Sequence, residues 1–253
     1  MKHISPNLNP GLARFESLLC AGILSFLTIS SPAQLQTQPL APSTPVVVVK
    51  TRTTSDSPQA VVISLVGKCE ISEGGKDFAP LKVEQVVTQG AVLRTGEGAR
   101  ADLFFRRIGT SVRLQSDTEI VIEKMKRTDK GDEAQMETLL DLRKGRIFTV
   151  VRSMVAGSKF EIRNAAGRSV VEGGGGKGRY IITADGTHVT EKNSTAPLKL
   201  VRETGITVIL PGEKFDRKEG KVFKADAPNA VTEYVQFDEI ELEGEKTEAA
   251  PKK

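Results

Sequence analysis

The chain has 253 residues, of which 38% are hydrophobic and 27% charged, so it can bury a core and has a soluble protein's composition. Aromatic residues make up 5% and Trp is absent, which argues against an aromatic-lined sugar cleft or a stacking platform for bases. The formal net charge of +4 is small and its Lys and Arg residues are dispersed, so no nucleic-acid partner is indicated.

The N-terminus has the three parts of a secretory signal peptide. Lys2 and Arg14 supply a charged region, Leu18 to Ile29 an apolar region, and Ser31-Pro32-Ala33 the small residues before a cleavage site. We expect cleavage of residues 1–33 after Ala33, so that the mature chain is periplasmic or secreted. An inner-membrane anchor through Leu18 to Ile29 is the alternative, although this run is shorter than the roughly 20 residues of a spanning helix.

Residues 34–59 are predicted to form a flexible linker, because they carry four prolines among Ser, Thr and Gln. Within it, Val46 to Val49 is either an added edge strand or an apolar piece of the linker. The mature chain keeps one cysteine, Cys69, so it has no internal disulfide. We interpret Cys69 as a small buried residue, with pairing between molecules as the alternative.

Residues 60–224 are predicted to form an all-β domain, either an antiparallel sandwich or a barrel-like fold. Val61, Ile63, Leu65, Cys69 and Ile71 share one parity and indicate a half-buried strand. Further short strands follow with glycine in the turns, and long amphipathic helices of the kind found in α/β folds are not visible. These strands contain Val92-Leu93, Ala101 to Phe105, Val112 to Leu114, Ile120 to Ile122, Leu140 to Leu142, Ile147 to Val151, Lys159 to Ile162, Tyr180 to Thr183, Thr187 to Thr190, Leu198 to Val201, Ile206 to Leu210 and Lys221 to Phe223.

Two polar segments flank or interrupt this pattern. Lys124 to Glu137 is dense in charge and is predicted to be a long exposed hairpin loop. Residues 225–253 form an acidic tail that we expect to be disordered from Gly244 onward. Ahead of that point the tail is predicted to form a short helix against the sheet, through Val231, Tyr234, Val235 and Leu242.

The run VVEGGGGKGRYII, from Val170 to Ile182, raises the question of a phosphate-binding loop. A P-loop needs glycine where Val171 stands and a hydroxyl residue where Gly178 stands. Gly173, Gly175 and Gly178 fit a dinucleotide pattern by letter, but that pattern requires a helix to follow, and a strand follows here. We therefore interpret the run as a flexible connection between strands.

No catalytic, cofactor-binding or metal-ligating residues can be assigned. The histidines are His3, in the signal segment, and His188, on a predicted strand. Neither belongs to a set with metal-ligand spacing, and no Gly-x-Ser-x-Gly elbow is present. Acidic pairs such as Asp238-Glu239 are interpreted as solvated charge. The chain is predicted to be a non-enzyme without a cofactor.

The order of the turns and strands from Gly90 onward resembles the FecR-like domain family. Gly90 to Ile122 follows the family's strand, Thr-Gly turn and Gly-Ser/Thr steps, and the resemblance extends over about Ala60 to Phe223. A Val-Arg-Gly-Thr-like step of the family is replaced here by Val171-Glu172 and the glycine run. The matched positions are Gly90, Leu93, Thr95-Gly96, Ala99 to Phe105, Gly109-Thr110, Leu114, Thr118, Ile120, Leu142, Gly145-Arg146-Ile147, Phe160 and Ile162.

This resemblance implies a periplasmic β domain. Regulatory family members are similar to transmembrane anti-sigma regulators whose β domain reads the signalling part of an outer-membrane iron transporter. The segment before Leu18 is too short for a sigma-binding domain, so we expect the envelope domain without that output.

Three functions follow as hypotheses. The first is an exported, non-catalytic protein-binding or scaffold module that binds an envelope protein through an edge strand or through Lys124 to Glu137. The second is an envelope signalling component that relays iron or siderophore status to a membrane partner. The third is a carbohydrate or cell-wall binding domain. The sequence leaves the oligomeric state open.

Overall fold

Two open β-sheets form the part of the chain that the structure describes. The structure is a computed structural model that describes residues 58–225 except 76, 131–132 and 153, together with residues 237–240, 244 and 246. All of these lie in the unit that begins at Thr53. The predicted signal peptide, the linker up to residue 57 and the four apolar residues assigned to a C-terminal helix lie outside the described residues.

The strands follow one another closely along the chain and account for most of residues 60–224. Their bounds are β1 Ala60–Val66, β2 Cys69–Glu73, β3 Ala79–Pro80, β4 Val86–Val87, β5 Ala91–Thr95, β6 Arg100–Phe105, β7 Thr110–Leu114, β8 Glu119–Lys130, β9 Glu133–Lys144, β10 Arg146–Val151, β11 Lys159–Asn164, β12 Gly167–Glu172, β13 Gly178–Thr183, β14 His188–Thr190, β15 Leu198–Arg202, β16 Gly205–Ile209, β17 Glu213–Asp216 and β18 Lys221–Lys224. A single 3₁₀ turn, Arg106–Ile108, joins β6 to β7 within this range.

The strands divide into two nine-stranded sheets. The first sheet has the order β18-β17-β14-β13-β10-β7-β6-β1-β4, and the second has the order β16-β15-β12-β11-β9-β8-β5-β2-β3. Among the described strands, β9 pairs with β11 in parallel, while the hairpin partners run antiparallel. Two open sheets around one core confirm the sandwich alternative of the sequence-based prediction.

The chain fills both sheets from one end to the other. Hairpins β6–β7, β13–β14 and β17–β18 lie in the first sheet, and hairpins β8–β9, β11–β12 and β15–β16 lie in the second. Strands close in sequence are therefore close in space, as is usual for short un-knotted connections. The edge strands are β18 and β4 in the first sheet and β16 and β3 in the second.

The core lies between the sheets and receives alternate residues from both. Phe105 of β6 meets Phe160 of β11 edge to face, with ring centroids 5.9 Å apart. Burial of each such side chain contributes about 1.5–3 kcal/mol to the free energy of folding. Other core residues with no exposed surface are Leu93, Leu103, Val112, Leu114, Ile120, Ile122, Leu140, Ile147, Ile182, Leu198 and Leu200.

The prediction of one strand from Val61 to Ile71 is wrong, because the chain changes sheets at Gly67. Gly67 has φ +73°, and a Cβ there would lie 2.9 Å from the Cβ of Ala99. A bulge between Val62 and Ser64 also shifts the parity. Val62 is therefore fully buried, whereas Val61 is half-buried.

The prediction that Lys124 to Glu137 is an exposed loop is also wrong. Both arms are strands, with pairing that continues to Lys130 opposite Glu133. Met125 and Met136 are buried on one face of this hairpin. Alternation of charged and apolar residues here reflects the two faces of strands and not a loop.

Candidate interaction surfaces

The β16 edge of the second sheet carries three exposed large apolar residues, whereas the β4 and β18 edges carry one each, Val86 and Phe223. Ile206, Val208 and Leu210 lie at the β16 edge of the second sheet and are 66%, 44% and 50% exposed. They share one parity and lie on the outer face of the sheet, beside the half-buried Val201 opposite Ile206. We call these four residues the apolar edge.

The other three edges have features that discourage strand pairing. β3 contains Pro80 and has two residues, β4 also has two residues, and β18 carries Lys221 and Lys224. Short strands, proline and lysine are the usual protection of sheet edges against added strands. β16 has five residues and no charged residue among them. The apolar edge is therefore suited to pair with another chain.

Charge covers the outer face of the second sheet up to the apolar edge, where Lys199 of β15 lies directly opposite Val208. Arg163 of β11 pairs with Glu123 and with Asp141, at 3.4 Å from Nε to Oδ1 for the latter. Lys199 pairs with Glu172, at 2.6 Å from Nζ to Oε2. These pairs are exposed, so each contributes about 0–1 kcal/mol to stability. The surface thus changes from charged to apolar toward β16.

The described C-terminal residues lie on the outer face of the first sheet. Phe237 and Ile240 are buried there against Phe148, Val150 and Ile181. The rings of Phe237 and Phe148 meet edge to face, with centroids 5.2 Å apart. Residues 237–240 are helical, whereas the four apolar residues from which a short helix was predicted lie outside the described part, so that prediction stays a prediction. We call the described residues of this segment, 237–240, 244 and 246, the C-terminal strap.

The interpretation of Asp238 and Glu239 as simply solvated charge is wrong. Asp238 Oδ1 accepts a hydrogen bond of 2.8 Å from Nη2 of Arg179. Glu239 Oε2 accepts one of 2.8 Å from Nη1 of Arg113. The two carboxylates remain about half exposed, at 60% and 45% of their side-chain surface. Each therefore attaches the strap to an arginine of the first sheet.

A fully buried ion pair lies beneath the strap. Arg113 of β7 and Asp102 of β6 are opposite each other and neither side chain is exposed. Nε and Nη2 of Arg113 each donate to one oxygen of Asp102, both at 2.7 Å. Burial is the largest single effect and disfavours the charge of Arg113, but the hydrogen bonds that Arg113 donates to Asp102 and Glu239, together with the charges of these carboxylates, raise the pKa of the guanidinium. This bidentate geometry is the strongest that arginine and carboxylate form.

The glycine run joins β12 of the second sheet to β13 of the first, and it is tightly packed. The N–H of Gly173 donates to the carbonyl of Ser158 at 2.8 Å, and that of Gly174 donates to Met154 at 2.9 Å. The run thus connects two strands, and a strand follows it, as the sequence predicts. Glycine is required because a Cβ on Gly173 would lie 1.9 Å from the carbonyl oxygen of Val155.

We expect Gly173→Ala to lower the free energy of unfolding by about 1–3 kcal/mol, the usual range for overpacking. Gly96→Ala is the matched control, because a Cβ there would meet its nearest neighbour, the Lys68 carbonyl oxygen, at 3.5 Å. Urea denaturation of both variants measures the difference. Equal midpoints for Gly173→Ala and the wild type would contradict this explanation of the run.

His188 is fully buried in β14, away from solvent. Nδ2 of Asn164 lies 3.0 Å from Nε2 of His188 and donates to it when the ring is neutral. Burial lowers the pKa of His188 to about 4. This environment keeps the imidazole neutral and positions it beside Phe215, whose ring centroid is 6.0 Å away.

Cys69 is a free, buried thiol in the described domain, as the alternation of residues predicted. Its Sγ lies 3.2 Å from the carbonyl oxygen of Arg100. Burial raises the pKa of the thiol, which disfavours the reactive thiolate.

The described residues contain no group of three or more His, Cys, Asp or Glu that could hold a metal ion. Within the same residues, no helix has the length and apolar character needed to cross a membrane.

Comparison with known proteins gives one family. The family model described as FecR protein matches residues 91–200, from β5 to β15, and confirms the resemblance over that range. None of the curated proteins and none of the solved structures matches the chain. The matched range includes Asp102, Arg113 and the glycine run, while the whole apolar edge and the strap lie beyond it.

Proposed function

We infer, from the FecR-like domain that this chain carries over residues 91–200, that it acts in the cell envelope by binding another protein. The FecR domain is associated with envelope signalling and is a regulatory domain. We propose that the chain is exported through cleavage after Ala33 and works as a non-catalytic binding or scaffold module in the periplasm or outside the cell. The pattern of residues 1–33 supports export.

The observation that carries the binding proposal is the apolar edge. Natural sheet edges usually carry charge, proline or short strands, and β16 has none of these. A partner strand that pairs with β16 would bury Ile206, Val208 and Leu210. Main-chain hydrogen bonds would then supply affinity, and the apolar side chains would supply specificity.

In-cell photo-crosslinking tests this proposal. A photoreactive residue replaces Val208 in the full-length protein in its own host, and the same residue replaces Val83 as a control. Val83 is 53% exposed and lies at the opposite end of the domain. We expect a specific cross-linked protein from position 208 that is absent from position 83 and is lost in Ile206→Lys. Identical products at both positions would refute binding at the apolar edge.

The family's association with envelope signalling favours a second candidate function. In this alternative the β domain relays iron or siderophore status to a separate membrane partner. Identification of a transporter or membrane regulator at position 208, together with altered iron-responsive transcripts on deletion, supports signalling. A wall, matrix or secretion component with unchanged transcripts supports the scaffold role.

A further inference from the structure

The outer face of the first sheet beneath the C-terminal strap is shaped to hold a helix. Phe148 and Val150 of β10 and Ile181 of β13 are buried there. The half-buried Val189 of β14 adds a fourth apolar residue, and we call these four residues the apolar floor. This floor spans β10, β13 and β14, which are neighbours in the sheet. An apolar patch that extends over three strands is rarely left exposed to water, so another segment or a partner usually packs on it.

Arginines border this floor. Arg113 presents Nη1 to the strap, Arg179 presents Nη2, and Arg100 lies 3.6 Å from Glu239 through Nη1. The guanidinium of Arg179 also lies 5.9 Å from the ring centroid of Phe237. The floor therefore combines an apolar centre with donors that select carboxylates.

The strap has the complementary pattern. Phe237 and Ile240 are three residues apart and lie on the same face of a helical turn, with Asp238 and Glu239 between them. Farther along, Gly244 comes so close to β7 that a Cβ there would lie 2.7 Å from Oγ of Ser111. The apolar floor and its arginines therefore fit a helical segment with an aromatic residue, two carboxylates and an aliphatic residue in this order.

The attachment of the strap is limited. Two apolar side chains are buried, and the two carboxylates that meet arginines are about half exposed. The carboxylate ends of these ion pairs remain partly solvated, which limits what the pairs contribute, so Phe237 and Ile240 carry most of the contact. A segment attached in this way can exchange with another segment of the same chemistry at low cost.

We propose that this surface is a docking site for an acidic, apolar helical segment of a partner protein. In the free chain the C-terminal strap occupies the site as an internal ligand. The partner segment replaces Phe237 and Ile240 with its own pair of apolar residues three apart, and it supplies carboxylates to Arg113 and Arg179. This site is separate from the apolar edge, so its test is independent of the proposed function.

Peptide binding to the mature full chain tests the proposal. The probe is a fluorescent synthetic peptide with the sequence of residues 235–246, VQFDEIELEGEK. The protein is compared in its wild-type form and as Phe237→Ala/Ile240→Ala, which removes the two anchors of the strap. We expect fluorescence anisotropy to show at least tenfold tighter binding to the double variant. A peptide of unrelated sequence that keeps the aromatic, two acidic residues and the aliphatic at the same spacing should also bind.

Matched peptides and variants decide the outcome. A probe with alanine at the Phe237 position should lose most of the affinity for the double variant, and one with glutamine at the Glu239 position should bind the double variant measurably more weakly than the unmodified probe. Val208→Lys should leave peptide binding unchanged, which separates this site from the apolar edge. Equal binding to wild type and double variant, or binding that ignores the peptide changes, would overturn the proposal.

Size-exclusion chromatography with light scattering measures the molecular mass and so tests whether the strap of a second copy of the chain occupies this surface. We expect the wild-type chain and the double variant to have the same mass. A wild-type oligomer that dissociates in Phe237→Ala/Ile240→Ala would mean that the strap exchanges between copies, and it would overturn the assignment to a different partner.

Discussion

Asp102→Ala is expected to lower the free energy of unfolding by about 3–5 kcal/mol, because it leaves a buried charge without its partner. Arg113 has no exposed side-chain surface and donates two hydrogen bonds of 2.7 Å to Asp102. The remaining partner, Glu239, contacts only Nη1 and is itself 45% exposed. Urea denaturation followed by circular dichroism measures the loss.

Two controls distinguish the cost of leaving a buried charge unpaired from the smaller cost of losing an exposed ion pair. Glu172→Ala removes the exposed partner of Lys199 and should cost about 1 kcal/mol or less. The double variant Asp102→Leu/Arg113→Met removes both buried charges and should recover most of the stability lost in Asp102→Ala. If Asp102→Ala and Glu172→Ala cost the same, the pair is not the buried, desolvated contact described above.

Stability is expected to fall by about 2.5 kcal/mol between pH 6.5 and pH 4.5 because of His188. Burial lowers the pKa of His188 to about 4 in the folded protein, from an ordinary value of 6.5. Below pH 6.5 the unfolded chain therefore binds a proton that the folded chain excludes until about pH 4. Stability rises with pH wherever the unfolded state binds more protons, so this contribution is lost as the pH falls through the window.

His188→Gln provides the control, because glutamine keeps a polar group beside Asn164 and does not titrate. Outside the first 33 residues, His188 is the only histidine of the chain, so the histidine part of the slope has one source. Denaturant midpoints at half-unit steps of pH should fall steadily in the wild type and much less in the variant. Parallel curves for the two proteins would show that His188 is not buried in its neutral form.

Period-two alternation made most of the strands predictable. Ile120 and Ile122, or Leu140 and Leu142, point to the core because successive residues of a strand face opposite sides. Asp185-Gly186 was predictable as a hairpin turn, and Gly186 has φ +101°. The FecR resemblance rests on the same local steps, and the family match confirms it over residues 91–200.

The wrong predictions arose where local patterns fit two structures. Alternation continues through Gly67, and only the strand pairing shows that the chain crosses from the first sheet, at β1, to the second sheet, at β2. In the hairpin from Lys124 to Glu137, dense charge resembles a loop when the pairing of β8 with β9 is unknown. Strand β12 lacked a clear alternation because Ser169, Val170 and Val171 are all buried.

The all-β class, most strand positions and most turns can be predicted from the sequence alone, because they depend on residues within a few positions of one another. The sheet that each strand joins and the cover of the outer faces depend on contacts between distant residues, so they are visible only in the folded chain. Glu239 contacts Arg113, which is 126 residues away in the sequence. A contact between residues so far apart produces no periodic pattern in the sequence from which it could be predicted. The apolar edge likewise became apparent from the sheet order, because only the completed topology shows which strand is last.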